Sequence, residues 1–214
     1  MQSLQLSEPM QRLSDSLSEV PYNGAQHSQI RIHESKQEAR LRSVTLKVGN
    51  GDWICFHPDV LCKCARLEQG SKLVLMSPLL KVGSEHKHHR ACDAVVAMCQ
   101  GRALRVLYID LKSEKRASCS SQFRSTRQSV RYAVSLLADF WNCELKITSE
   151  HYLVFWGGTP SKRTTAQDHD GDYASPNESR LTKSTVDAAC RCRVEDGTRV
   201  EMEGIMRRWL SESS

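Results

Sequence analysis

Two apolar runs joined by a very short connection place the strongest constraint on what this chain can form. Ala91 to Met98 and Leu104 to Leu111 are each of strand length, and the connection through Gln100-Gly101 is too short for anything but antiparallel neighbours. Side chains two apart on a strand share a face. Asp110 and Lys112 therefore point one way while Ile109 and Leu111 point into the core. Folding the pair about residues 100 to 101 brings Asp93 opposite positions 108 to 110. Two acids and one base thus converge among otherwise buried strands, which costs free energy unless the charges pair or bind a metal.

The flanking sequence supplies the rest of an α/β domain. Val44 to Val48 alternates apolar and polar, and Asn50-Gly51 leads into Trp53-Ile-Cys-Phe56, which reads as a hairpin. His57-Pro58-Asp59 opens a short helix carrying Val60, Leu61, Cys64 and Leu67, stopped by Gly70. Lys72 to Met76 reads as a strand, and Ser84 to Arg90 as a polar loop with His86, His88 and His89. From about Ser121 to Trp141 the period becomes helical: Phe123, Val130, Val134, Leu137 and Trp141 share one face, with Arg124, Arg127 and Arg131 opposite. Glu144 to Thr148 and His151 to Trp156 form one or two closing strands.

Outside this core the pattern weakens. Residues 1–40 have no sustained apolar face and read as a polar N-terminal arm, residues 41–157 as the main domain, and residues 158–185 as a mobile linker. Residues 186–214 read as a hairpin about Asp196-Gly197 followed by the short basic-amphipathic helix Ile205 to Leu210.

The converging acids suggest metal-assisted phosphodiester hydrolysis. Asp93 and Asp110 are hard oxygen ligands suited to magnesium or manganese, and Lys112 would orient water and stabilise charge developing on the phosphorane. An Asp, then Asp-x-Lys one hairpin later, then an amphipathic helix, resembles the core pattern of the PD-(D/E)XK nuclease superfamily over roughly residues 57–157. The resemblance implies a restriction-endonuclease-like α-β-β-β-α-β core, a mixed sheet flanked by helices, with Asp93, Asp110 and Lys112 as the catalytic set. It also implies an acidic residue on the first helix, for which Glu68 is the candidate, and a Gln on the second. Gln128-x-x-x-Tyr132 fits the QxxxY arrangement of the RecB-like branch, and Gln122 is the alternative. The Pro of the motif is replaced by Cys92.

Arg124, Arg127 and Arg131 are spaced to track a phosphate backbone, and His88 and His89 precede Asp93 closely enough for phosphate contacts. Cys62-x-Cys64 and Cys190-x-Cys192 could together offer four thiolates to zinc, but one intervening residue is fewer than zinc pairs use, and Cys190, Cys192 and Val194 alternate with charges as in a half-buried strand. A net charge of +5 over 214 residues is compatible with a polyanionic partner, and the resemblance implies nucleic acid, DNA before RNA. Nine cysteines, an odd number often placed in apolar runs, point to a reducing compartment, and no apolar run approaches the ~20 residues that span a bilayer. The expectation is a cytoplasmic nuclease acting with a protein partner or as a homodimer, in the manner of a restriction or anti-phage effector. The alternative is a non-catalytic accessory or viral factor, zinc-stabilised, that binds nucleic acid or protein. No P-loop, G-x-S-x-G or H-E-x-x-H motif supports other hydrolase chemistry.

Overall fold

A computed structural model of the chain describes residues 5–34, 38–58, 90–115, 117–157 and 175–211. In chain order these form α1 (Glu8–Ser16), β1 (Tyr22–Asn23), β2 (Gln29–His33), β3 (Ser43–Lys47), β4 (Trp53–Phe56), β5 (Ala94–Gln100), β6 (Ala103–Lys112), α2 (Ser120–Trp141), β7 (Lys146–Trp156), α3 (Glu178–Thr182), β8 (Cys190–Arg193), β9 (Arg199–Glu201) and α4 (Glu203–Ser211). The fold is mixed α/β with two sheets. Six strands lie in the order β1-β4-β5-β6-β7-β8, and three in the order β2-β3-β9. The large sheet is antiparallel from β1 through β6 and parallel from β6 through β8.

Both faces of the large sheet are covered, which is why β5 and β6 read as near-continuous apolar runs. Val95, Ala97, Val106, Tyr108 and Val154 face α1 and α2, packing on Met10, Leu13, Phe123, Val130 and Leu137. Val96, Leu107, Ile109, Leu153 and Phe155 face the small sheet and α4, meeting Ile30, Ile32, Leu46, Val200, Met206 and Trp209. The chain is therefore three layers deep, with a core on either side of β5, β6 and β7.

Several sequence expectations are corrected here. Asn50-Gly51 does not close a hairpin: β3 pairs with β2 and β9 in the small sheet, whereas β4 pairs with β1 and β5 in the large one. Gly49, at φ +70°, takes the left-handed conformation in that segment. Asp196-Gly197 likewise joins strands of different sheets, since β8 lies on β7 and β9 lies parallel to β3. The N-terminal residues are not a peripheral arm. Met10 and Leu13 of α1 are buried, β2 alternates exposed and buried with Ile30 and Ile32 inward, and both elements complete the core. Within the expected linker, α3 buries Leu181 and is capped by Asn177, whose side chain accepts from Arg180 N–H. The closing strand is a single one, β7. Trp141 does not join the buried face of α2 and remains 48% exposed, one residue before Asn142 ends the helix in a left-handed conformation. The expected helix after Pro58, the strand at 72–76, Glu68, Cys62, Cys64, His86, His88 and His89 lie outside the described residues.

Candidate functional site

The β5–β6 register sets the centre of the site. Ala94 pairs with Ile109, so Asp93, one residue before β5, sits beside Asp110 on β6. Asp93 and Asp110 share strand parity with Val95 and Tyr108, hence both face the α2 layer. Asp110 has no solvent exposure and Asp93 only 9%. Asp93 Oδ2 accepts the Leu111 backbone N–H at 2.5 Å, and the Asp93 carbonyl lies 2.9 Å from His57 Nδ1, which donates to it.

The two carboxyl groups are neighbours across the β5–β6 pair, each within reach of the other's charge. Burial, then the Asp110 charge, pushes Asp93 well above the usual carboxylate range, despite the Leu111 N–H. Burial also raises Asp110, but the Lys112 charge and its hydrogen bond oppose that rise. Lys112 Nζ lies 2.7 Å from Asp110 Oδ2. Burial acts to lower the Lys112 pKa, yet the facing carboxylates outweigh it and hold the ammonium charged. The Lys112 side chain is itself only 15% exposed.

The opening turn of α2 completes the cluster. With the Gln122 carboxamide oriented to suit its neighbours, its oxygen accepts from Lys112 Nζ at 2.8 Å and its nitrogen donates to the Ser118 carbonyl at 3.3 Å. Gln122, rather than Gln128, is thus the helix glutamine that meets the lysine; Gln128 is exposed and Tyr132 is 63% exposed. Lys112 apart, no hydrogen-bond donor among the described residues reaches either oxygen of Asp110.

The arginine stripe of α2 is largely engaged within the molecule. Arg124 forms a two-pronged pair with Asp187 at 2.7 and 2.8 Å, and Arg131 binds Glu150 at 2.5 Å. Arg127 is half-buried beside Tyr152. Arg124 and Arg131 of the expected stripe thus hold ion pairs within the molecule that lie at its exposed surface. Among the described residues no group of three or more His, Cys, Asp or Glu side chains gathers as it would around a metal. Their seven cysteines are free thiols, and Cys190 packs in the core, with burial raising its thiol pKa.

Sequence reasoning missed three participants. Glu34, in the segment read as an arm, is near enough for its charge to raise both Asp93 and Asp110. Arg191 of β8 donates to the Lys115 and Ala117 carbonyls at 2.6 and 3.1 Å and reaches Cys119 Sγ at 3.7 Å, tying down the segment between Lys112 and α2. Trp156 lies beside Lys112 in the β6–β7 register. The alternation of Arg191 and Arg193 with cysteines was the available signal, and it identifies a strand face without saying what the face adjoins.

Among the described residues no helix is long and apolar enough to cross a membrane. No protein-family model, curated protein or solved structure matches this chain.

Proposed function

We propose that this chain is a divalent-metal-dependent nuclease built on a PD-(D/E)XK-type core. The observation that carries the reading is the buried contact of Asp93 with Asp110, ion-paired to Lys112, which Gln122 tethers. Burying two acids against one base is destabilising compared with an apolar cluster of the same shape, and perturbed carboxylates held at a strand end are characteristic of catalytic placement. The order of elements supports the same reading. α1, β4, β5, β6, α2 and β7, taken in sequence, run α-β-β-β-α-β, with β1 to β3 inserted between the first two. In that reading the leading helix is α1 rather than the segment after Pro58.

The residues fit magnesium or manganese. Asp93 and Asp110 offer only hard oxygen donors, and both oxygens of Asp110 lack hydrogen-bond donors beyond Lys112. Magnesium is commonly held by one or two carboxylates, its other positions going to water and phosphate, so two protein ligands suffice. When bound, the ion supplies polarisation of a phosphate oxygen and acidification of a water. The chain's own groups supply the rest. Asp93, whose pKa burial and the Asp110 charge raise, must be deprotonated before both acids can serve as anions. Lys112 Nζ, fixed by Gln122 and Asp110, presents its remaining N–H to charge developing on phosphorus. The buried surroundings, Cys92 and Leu111 among them, keep the dielectric low and strengthen these interactions.

The test is cleavage of linear, circular and single-stranded DNA and of RNA with magnesium or manganese, comparing wild type with Asp110→Asn, Lys112→Met and Gln122→Ala. Asp110→Asn should abolish cleavage, and Lys112→Met should reduce it by a factor on the order of 10²–10³. Gln122→Ala should fall between wild type and Lys112→Met. Equal rates in wild type and Lys112→Met would refute the assignment. Calcium should bind and support cleavage poorly, because its looser coordination positions water less well.

A further inference from the structure

The α2-facing side of the large sheet continues past the acids into a concavity of about 600 Å³ lined by Lys115, Trp156, Arg180, Lys183, Arg191 and Arg193, together with small residues between Ser179 and Cys190. Among the described residues no acid lines it. Arg193 and Lys115 stand over the Trp156 ring, 5.5 and 5.8 Å from its centroid. The register ties this groove to the acidic cluster. Lys112 pairs with Trp156 and Trp156 with Arg193, while Asp110 pairs with Val154 and Val154 with Arg191. Paired residues of parallel strands project to the same face, so the rows Lys112-Trp156-Arg193 and Asp110-Val154-Arg191 run side by side across β6, β7 and β8. At roughly 4.8 Å per strand, Arg193 is about 10 Å from Lys112.

We infer that this groove binds an unpaired nucleic-acid strand, with Arg180, Lys183 and Arg193 on its phosphates and Trp156 as the stacking surface for a base, and that it delivers the strand to Asp110 and Lys112. The inference rests on the nuclease reading for the direction of delivery. Cations without acids select a polyanion. A planar aromatic among them selects one with aromatic faces, which is how non-specific single-strand sites are built. A duplex keeps its base faces stacked inside and offers Trp156 nothing. The separation of about 10 Å corresponds to about three nucleotides at a stacked rise of about 3.4 Å, so a strand held in the groove reaches the acids without leaving the sheet surface.

The experiment is fluorescence anisotropy of a labelled oligothymidylate of about a dozen nucleotides, against a duplex of equal length, with full-length protein in chelator so that no cutting occurs. Wild type should bind the single strand at least about tenfold more tightly than the duplex. The double change Arg180→Glu/Lys183→Glu, at exposed positions around α3, should weaken binding about tenfold or more. Removing two phosphate contacts should also flatten the salt dependence of log Kd by about 1.4, at about 0.7 per contact. Trp156→Leu should weaken binding by about tenfold, with Trp156→Phe restoring most of it. Equal affinity for duplex, equal competition by polyphosphate or polyglutamate, or no effect of the α3 pair would overturn the inference. Single-strand binding by a wild type that cuts nothing would sustain the groove and refute the nuclease reading alone. Cleavage that ignores every groove variant would do the reverse.

Discussion

Replacing Lys112 by Met isolates what the ammonium does for the fold. Methionine keeps an unbranched apolar stem of similar reach, so packing around the side chain is largely retained. Asp110, with no solvent exposure, then loses its cation. Removing one partner of a buried pair costs about 3–5 kcal/mol when the other must stay charged, but Asp110 has an escape, because it can take up a proton. From an ordinary Asp value of about 3.9, protonation near pH 7 costs about 3 units at 1.36 kcal/mol each, or about 4 kcal/mol. Burial has already raised Asp110, so the loss should fall below that ceiling, at about 2–3 kcal/mol. The sign follows from the same protons. With Lys112 gone, the folded pKa of Asp110 rises further above the unfolded one, so the penalty appears as pH climbs past about 4 and vanishes below it. Urea unfolding at about pH 4 and about pH 7 reads this directly. Adding Asp110→Asn should return most of the loss at neutral pH, since a neutral pair has no charge to strand. A loss of equal size at both pH values, or a double variant whose loss is the sum of the single ones, would refute the electrostatic account.

Other changes test neighbouring features. Asp93→Asn removes a group that burial and Asp110 make hold its proton when folded; wild-type stability should therefore fall relative to the variant as pH rises from about 4, and parallel urea curves would contradict this. His151 is 4% exposed and stacks on Trp209 at 4.2 Å, and burial lowers its pKa. The unfolded chain takes up a proton below about pH 6.5 that the folded one resists, so acid should destabilise wild type more than His151→Phe, as read by thermal melts between about pH 5 and 7. Gly157→Ala would place Cβ 2.0 Å from the Val194 carbonyl oxygen, a backbone atom that cannot swing aside. Its cost should be about 1–3 kcal/mol by urea titration, with cleavage reduced as the β6–β7–β8 rows separate.

The acid–base cluster was legible in the sequence because its placement is local. A short turn fixes the β5–β6 register, and the two-residue period of a strand decides which face Asp110 and Lys112 share. Gln122 could be named as an alternative but not preferred over Gln128, since that choice depends on how α2 approaches β6. Both turn signals misled for one reason. Asn50-Gly51 and Asp196-Gly197 each mark a sharp change of direction, but the flanking strands found better partners far away in the chain. Local preference was outweighed by burial of Leu46 against Val200 and of Ile54 beside Ala97. The N-terminal residues looked peripheral because α1 buries only Met10 and Leu13, too few to make a strong periodic signal in nine residues. Charge spacing on α2 was read correctly as a stripe, but Asp187 and Glu150, which neutralise Arg124 and Arg131, come from elsewhere in the chain.

The parallel pairing of Thr45 with Arg199 and of Leu46 with Val200 governs when the protein can become itself during synthesis. Asp93, Asp110, Lys112 and Gln122 are translated well before β8 and β9 exist, and at about 5–20 residues per second the roughly 90 residues from Asp110 to Val200 take on the order of five to twenty seconds. Throughout that interval β3 lacks its parallel neighbour, and β7, once made, keeps an open edge until β8 follows. Contacts spanning so much of the chain also form slowly once available. The acids therefore reach their final surroundings only after β8 and β9 have been made, so the growing chain carries these side chains before it has the architecture that surrounds them.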